Sequence, residues 1–264
     1  MKSRKPLVPA AARAYHQKAM DPFIIACILA TFFFAAFLKG TAGLGFATTC
    51  LGVMAAYLDM RLAIPLVIIP SLLANSMVMV DAGGFGRVWK RFWLMYAAAV
   101  PGLCAGLWLL GSSTSALPRT VLGVAMVLYA SWGLWGGNLH LKHTPLTATA
   151  VGLSTGLVNG LTGSQIMPIL PYLISLDITK DELVQAINTS FTVASIIMLL
   201  GLGKLGLLST NAMLVSAAGV VPVGLGIWLG GRVRRLLPEP VFRQVVMVLL
   251  ILLGAGLVAR SVLA

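Results

Sequence analysis

Carboxylates are scarce in this chain: 7 Asp and Glu among 264 residues, against 19 Lys and Arg. All of them, Asp21, Asp59, Asp81, Asp177, Asp181, Glu182 and Glu239, fall at the ends of apolar runs or between them. No carboxylate is centred in an apolar run, so no proton relay or cation-binding core is visible. Cysteine is equally sparse. Cys27, Cys50 and Cys104 sit in apolar runs at unrelated spacings without a CxxC, and read as small buried hydrophobes. His16 lies in the N-terminal tail, and His140 and His143 share a loop with Lys142 but with no carboxylate or cysteine beside them, so no metal ligand set forms. No Walker motif is present, which excludes ATP hydrolysis by this chain, and no HExxH or GxSxG offers a nucleophile and base. Catalytic residues, cofactors and metals are therefore all expected to be none.

Charge of any kind is rare. Only 10% of residues are charged, whereas a soluble domain carries roughly 25%. Hydrophobic residues make up 59% of the chain, and the mean hydropathy is +0.96. These values exclude an ordinary soluble domain and predict an all-α, polytopic transmembrane helical bundle of about 8–10 hydrophobic segments. Ten are delimited, at 22–38, 44–58, 62–80, 92–110, 118–136, 146–160, 164–177, 183–201, 208–230 and 241–259. The net charge of +12 comes from basic residues between these segments. They read as orientation signals and lipid-headgroup contacts, and no aromatic-rich basic patch points to nucleic acid. Residues 1–20 form a basic tail without a signal-peptide cleavage pattern, and Met20 is an alternative start directly before the first apolar run.

Glycine is what the chain has in quantity, and twice it interrupts an apolar run. The first interruption reads Leu38-Lys39-Gly40-Thr41-Ala42-Gly43-Leu44-Gly45-Phe46-Ala47-Thr48-Thr49, the second Val158-Asn159-Gly160-Leu161-Thr162-Gly163-Ser164-Gln165-Ile166-Met167-Pro168. A lipid-exposed break leaves backbone groups unpaired, so such stretches carry a cost that points to function. Each is followed by a short segment, a charged turn (Asp59-Met60-Arg61; Thr179-Lys180-Asp181-Glu182) and a segment with a polar patch. The order predicts an internal repeat: residues 21–137 as the first transmembrane repeat, 138–144 as the connecting loop, 145–264 as the second. Other glycines, Gly152/Gly156/Gly160, Gly102/Gly106 and Gly226/Gly230, recur every four residues and read as close-packing faces.

Basic residues suggest how the halves are related. The loop with Arg87, Lys90 and Arg91 follows the third segment of its half; that with Arg232, Arg234, Arg235 and Arg243 follows the fourth. If both are cytoplasmic, the repeats are inverted. A ten-crossing arrangement then puts both termini outside, with Lys39, Lys142 and Lys180 also in inside loops and Arg61, Arg119, Lys204 and Arg260 outside. Re-entrant short segments would change that count.

Paired, Gly-interrupted segments are the sequence signature of a transporter site. Where a helix starts inside the membrane, its first N–H groups lack partners and form an anion site with the helix dipole. Helix starts after Gly43-Leu44-Gly45 and after Gly163-Ser164-Gln165 are expected to face each other, with Thr48, Thr49, Ser164 and Gln165 in the first turns. Lys39, the only charge between Asp21 and Asp59, reads either as the cationic partner of an anion or as a snorkelling lysine. Asn159 holds the corresponding place in the second half. Ser71, Asn75, Asn188, Thr189 and Ser190 read as substrate ligands or as interhelical hydrogen bonds.

At these stretches the chain resembles the TauE/SafE family of membrane transporters, the sulfite exporter or toluene-sulfonate uptake permease type. The resemblance rests on Gly40-Thr-Ala-Gly43-Leu-Gly45-Phe46 with the charged turn and Pro-Ser run behind it. In the second half it rests on Gly156-Leu-Val-Asn-Gly160-Leu-Thr-Gly163 with Asn188-Thr189-Ser190 behind it. It covers roughly residues 20–260. Ser164-Gln165 stands where the family often has glycine. The resemblance implies a multi-pass carrier of the bacterial inner membrane, built from two homologous halves, for sulfur-containing anions such as sulfite or organosulfonates. The expected function is thus secondary transport of a small anion by alternating access. The expected partners are that anionic solute and the lipid bilayer, with no nucleic acid and with a homodimer left open. The alternatives are an intramembrane enzyme acting on lipid phosphate and a non-catalytic membrane scaffold.

Overall fold

In a bilayer every backbone polar group needs an internal partner, which leaves helices and closed barrels as the means of crossing. A computed structural model describes residues 21–42, 45–114, 116–136, 141–233 and 239–263. Among them are eleven α-helices and no strand. They are α1 Pro22–Ala42, α2 Phe46–Met54, α3 Met60–Ala82, α4 Phe85–Ser112, α5 Ala116–Leu134, α6 Pro145–Thr162, α7 Ile169–Ile174, α8 Lys180–Lys204, α9 Thr210–Ala218, α10 Val220–Val233 and α11 Glu239–Leu263. Seven stretches are long and apolar enough to cross a membrane: within α1, α3, α4, α5, α8 and α11, and across α9–α10 as one. The protein is a polytopic helical membrane protein.

Three of the ten expected segments, 44–58, 146–160 and 164–177, fall outside these seven stretches. Segment 44–58 contains the nine-residue α2, and segment 164–177 contains the six-residue α7. At about 1.5 Å per residue they reach roughly 14 and 9 Å, against roughly 30 Å of hydrocarbon. The ten-crossing arrangement is therefore not the one that folds. Segment 208–230 is also divided, into α9 and α10, at Gly219, whose Cα hydrogen faces the Phe32 ring.

Local chemistry sets the helix starts. Asp59 accepts a hydrogen bond from the Arg61 amide at 2.8 Å and caps α3. Thr179 caps α8 through the Glu182 amide, Ser209 caps α9, and Thr144 and Thr147 form a capping box at α6. Inside α3, Pro70 has no N–H to offer the carbonyl four residues earlier. That carbonyl, Leu66 O, instead accepts a hydrogen bond from Ser216 Oγ of α9 at 2.7 Å. A proline-made vacancy thus ties two helices together.

Contacts at the helix ends fix the directions. At one end, Glu182 pairs with Arg91 at 3.5 Å and Arg87 at 3.9 Å, and His143 Nε2 lies 3.1 Å from the Arg91 carbonyl. At the other, Arg61 donates to the carbonyls of Leu110 and Ser113, and Arg260 donates to the Ala56 carbonyl. Four helices, α4, α6, α8 and α11, start at the Arg91 end. The others, α1, α3, α5 and the α9–α10 pair, run the opposite way.

Glycines hold the long helices in pairs. A Cβ on Gly152, Gly156 or Gly160 would collide with the carbonyl of Met95, Ala99 or Leu103, and one on Gly102 or Gly106 with Leu153 or Leu157. So α4 and α6 lie parallel, backbone on backbone, as the four-residue glycine spacing predicts. Gly226 and Gly230 abut the carbonyls of Phe33 and Phe37, which sets α10 parallel to α1, and Gly123 meets Gly254 where α5 and α11 cross.

Each short helix completes a hairpin. Thr31 Oγ1 of α1 lies 3.2 Å from the Tyr57 hydroxyl just beyond α2, so the chain turns back to the Arg61 end. The α6–α7 hairpin returns to the Arg91 end, where the Tyr172 hydroxyl and His143 Nδ1 share a hydrogen bond of 2.5 Å. The two hairpins enter from opposite ends.

Candidate functional site

The hairpin tips meet in the interior. Thr48 Oγ1, in the first turn of α2, is 2.6 Å from Ser164 Oγ in the second break, and both residues are buried. Gly45 precedes α2 with φ 92°, a left-handed conformation that glycine tolerates without steric cost. It has no side chain to cap the helix, and the first intrahelical bond is from the Thr49 amide to the Gly45 carbonyl. The preceding N–H groups of the first turn have no intrahelical acceptor. Gly163 ends α6 in the left-handed region, φ 75°, and its N–H reaches the Asn159 carbonyl at 2.7 Å, a glycine C-cap.

Beside the tips lies a small cavity. Its polar wall comprises Lys39, Thr48, Ser71, Asn75, Asn159, Gln165 and Ser195, and its apolar wall includes Phe46, Ile64, Val67, Ile166, Phe191 and Met198. Lys39 is only 4% exposed, and its ammonium donates to Asn75 Oδ1 at 2.6 Å. No carboxylate lines the cavity among the described residues. Ser71 Oγ and Asn159 Nδ2 are buried without a hydrogen-bond partner. A buried ammonium paired with a neutral amide, beside unspent donors and a helix N-terminus, has the donor set of an anion site.

The sequence agrees with that chemistry. A family model described as "Sulfite exporter TauE/SafE" matches residues 28–257. The chain belongs to this family. No curated protein and no solved structure matches it. As a TauE/SafE protein it is a multi-pass membrane transporter of the sulfite exporter type and not an enzyme.

Within this TauE/SafE chain, Lys39, Gly45, Thr48, Ser71, Asn75, Asn159, Gly163 and Gln165 all line the one cavity. Lys39 is not in an inside loop, as its grouping with the cytoplasmic basic residues supposed; it is buried near the end of α1. Gly43 lies outside the described residues. Ser164 is spent on Thr48. Thr49 is buried behind the cavity wall. Asn188 turns away, its Nδ2 donating to the Val184 carbonyl of its own helix at 2.8 Å. Thr189 is buried off the cavity, and Ser190 Oγ supports the site from behind by donating to Gln165 Oε1 at 3.3 Å. Three consecutive residues of a helix diverge by about 100° each, so they cannot share one wall. The residues of α8 that do share it, Phe191, Ser195 and Met198, follow helical spacing.

One expectation fails outright: no helix starts directly after Gln165. Met167-Pro168 intervenes, and α7 begins only at Ile169. Proline restricts the residue before it to extended backbone and delays the helix. The second break therefore contributes the Gln165 side chain to the site instead of a helix N-terminus. Ser195 and Phe191 escaped the sequence reading, although they stand at the same offset from Asn75 and Ser71 as Asn159 does from Lys39.

Proposed function

We propose that this protein is a secondary carrier of a small sulfur-containing anion, sulfite or an organosulfonate, and that the cavity around Lys39 is its substrate site. The supporting observation is the buried Lys39 ammonium, with no carboxylate beside it among the described residues, near the unpartnered donors Ser71 Oγ and Asn159 Nδ2. Removing an ammonium from water costs several kcal/mol unless a counter-charge compensates, and a bound anion supplies that charge. Residues 21–137 and 145–264 are proposed as two inverted repeats joined by 138–144, each contributing one hairpin. Support comes from the element order and from directions taken pair by pair: α1 runs opposite to α6, α3 to α8, α4 to α9–α10 and α5 to α11. Alternating access would open the cavity to each end in turn. The inner membrane of a bacterium is the proposed location, as the family resemblance implies.

The test is counterflow into proteoliposomes of purified protein, with labelled sulfite and alkanesulfonates as permeants. Saturable uptake of at least one, competed by the unlabelled anion, is expected. Uptake no greater than in empty liposomes for every one of these anions would overturn the proposal.

A further inference from the structure

The cavity is built from residues that stand in register between the two breaks. Lys39 and Asn159, Gly45 and Gln165, Phe46 and Ile166, Ser71 and Phe191, and Asn75 and Ser195 each occupy it at one constant offset in sequence. Their contents differ in a directed way. On one side stand an ammonium, a hydroxyl and an amide, Lys39, Ser71 and Asn75. On the other the matching places hold a neutral amide, a phenyl ring and a hydroxyl, Asn159, Phe191 and Ser195. Of these matched places, Lys39 alone carries a cation among the described lining residues.

We propose that the charge at Lys39 sets the valence of the substrate: the site accepts monoanions and rejects dianions of the same shape. This rests on the anion-carrier reading above. Lys39 is 4% exposed and bonded to a neutral amide, so one negative charge makes the occupied cavity neutral. A second would be buried among Phe191, Ile166 and Met198 with no further cation among the described lining residues to meet it. An uncompensated buried charge costs several kcal/mol. Neutral donors soften that cost without cancelling it. For an acid that exists in two ionised forms, the singly charged one is therefore the transported species.

The test compares near-isosteric tetrahedral probes, methanesulfonate and sulfate, by binding to the purified full chain. Methanesulfonate is expected to bind at least about tenfold more tightly, the step that 1.4 kcal/mol of discrimination gives. Sulfate also carries more hydration, so the decisive variant is Asn159→Lys, which places a second cation at the register mate of Lys39. It is expected to narrow or invert the ratio. If that variant does not fold, methylphosphonate decides in the unaltered protein, its affinity falling relative to that of methanesulfonate as rising pH converts it from monoanion to dianion. Sulfate binding as tightly as methanesulfonate would overturn the valence rule and leave the carrier reading standing. So would an unchanged ratio in folded Asn159→Lys, or a methylphosphonate affinity that does not fall with pH relative to that of methanesulfonate. Absence of binding by every one of these anions would overturn both.

Discussion

Replacing Lys39 by methionine separates the demands of stability from those of binding. Methionine keeps an unbranched side chain, one heavy atom shorter, and removes the charge. In the empty protein the ammonium is 4% exposed, and its described partner is the Asn75 carbonyl oxygen at 2.6 Å. A hydrogen bond to a charged group contributes about 1.5–3 kcal/mol, whereas the effective burial cost of an ion is several kcal/mol. Lys39→Met should therefore leave the melting temperature of the empty protein unchanged or raise it. Binding should move the other way. A unit charge pair at about 4 Å is worth roughly 4 kcal/mol at an effective dielectric constant of 20, which is about a thousandfold in affinity. The assay is a thermal melt of purified protein with and without a saturating anion. For the unaltered chain an anion at about 100 times its dissociation constant adds about 2.7 kcal/mol; for Lys39→Met at the same concentration that shift should disappear. A variant that melts well below the unaltered protein, or that keeps the anion-dependent shift, would refute the assignment and make Lys39 a structural lysine.

Gly156→Ala puts a methyl group against the Ala99 carbonyl and the Leu103 amide, and should cost about 1–3 kcal/mol as an overpacked contact, read as a fall in melting temperature. Gly224→Ala, where a Cβ meets nothing within 4 Å, should be neutral or stabilise by up to about 1 kcal/mol through helix propensity. Gly45→Ala requires an alanine at φ 92° and should cost about 1–2 kcal/mol, with weaker anion binding in equilibrium dialysis as the α2 start shifts. Paired Thr48→Cys and Ser164→Cys substitutions, with Cys27, Cys50 and Cys104 replaced by alanine, should form a disulfide across the hairpin tips. Oxidation is expected to stop proteoliposome uptake and reduction to restore it; unchanged uptake in the crosslinked protein would show that the tips do not move.

What the sequence made legible follows physical scale. Membrane class, helical content and the two breaks were readable because each depends on composition over many residues. The glycine faces were readable because a four-residue spacing has one geometric meaning on a helix. Lys39 was conspicuous as a lone charge, but its depth was not, since an apolar run does not say whether a hairpin or a crossing contains it. Asn188-Thr189-Ser190 drew attention as a polar cluster in sequence, yet a helix scatters neighbours and gathers residues three and four apart. That is why Ser195, an unremarkable serine in an apolar run, reached the cavity wall while Asn188 and Thr189 did not. The late start of α7 had a visible signal in Pro168, which outweighs the preceding glycine because proline acts on backbone geometry directly. Pairing across the molecule, such as Ser216 with the carbonyl that Pro70 leaves free, had no local signal.

The glycine-locked pairs limit how such a cavity can change sides. α1 carries Lys39 and packs its backbone on α10, while α6 carries Asn159 and packs on α4. Each pair joins a helix from one set to a helix from the other. Rocking residues 21–137 as one body against 145–264 would have to open both backbone contacts together, each spread over several carbonyls. Dispersion between atoms falls steeply with small separations, so such a motion is costly from its first ångström. The interface at the hairpin tips is different in kind: a hydroxyl pair, Thr48 with Ser164, beside a cavity. Its polar groups are ones that water or an anion can satisfy. Movement of each hairpin together with its locked partner helix, past the central α3 and α8, therefore disturbs less packing than separation of the halves. It also carries Lys39 and Asn159 in opposite senses, because the two hairpins enter from opposite ends.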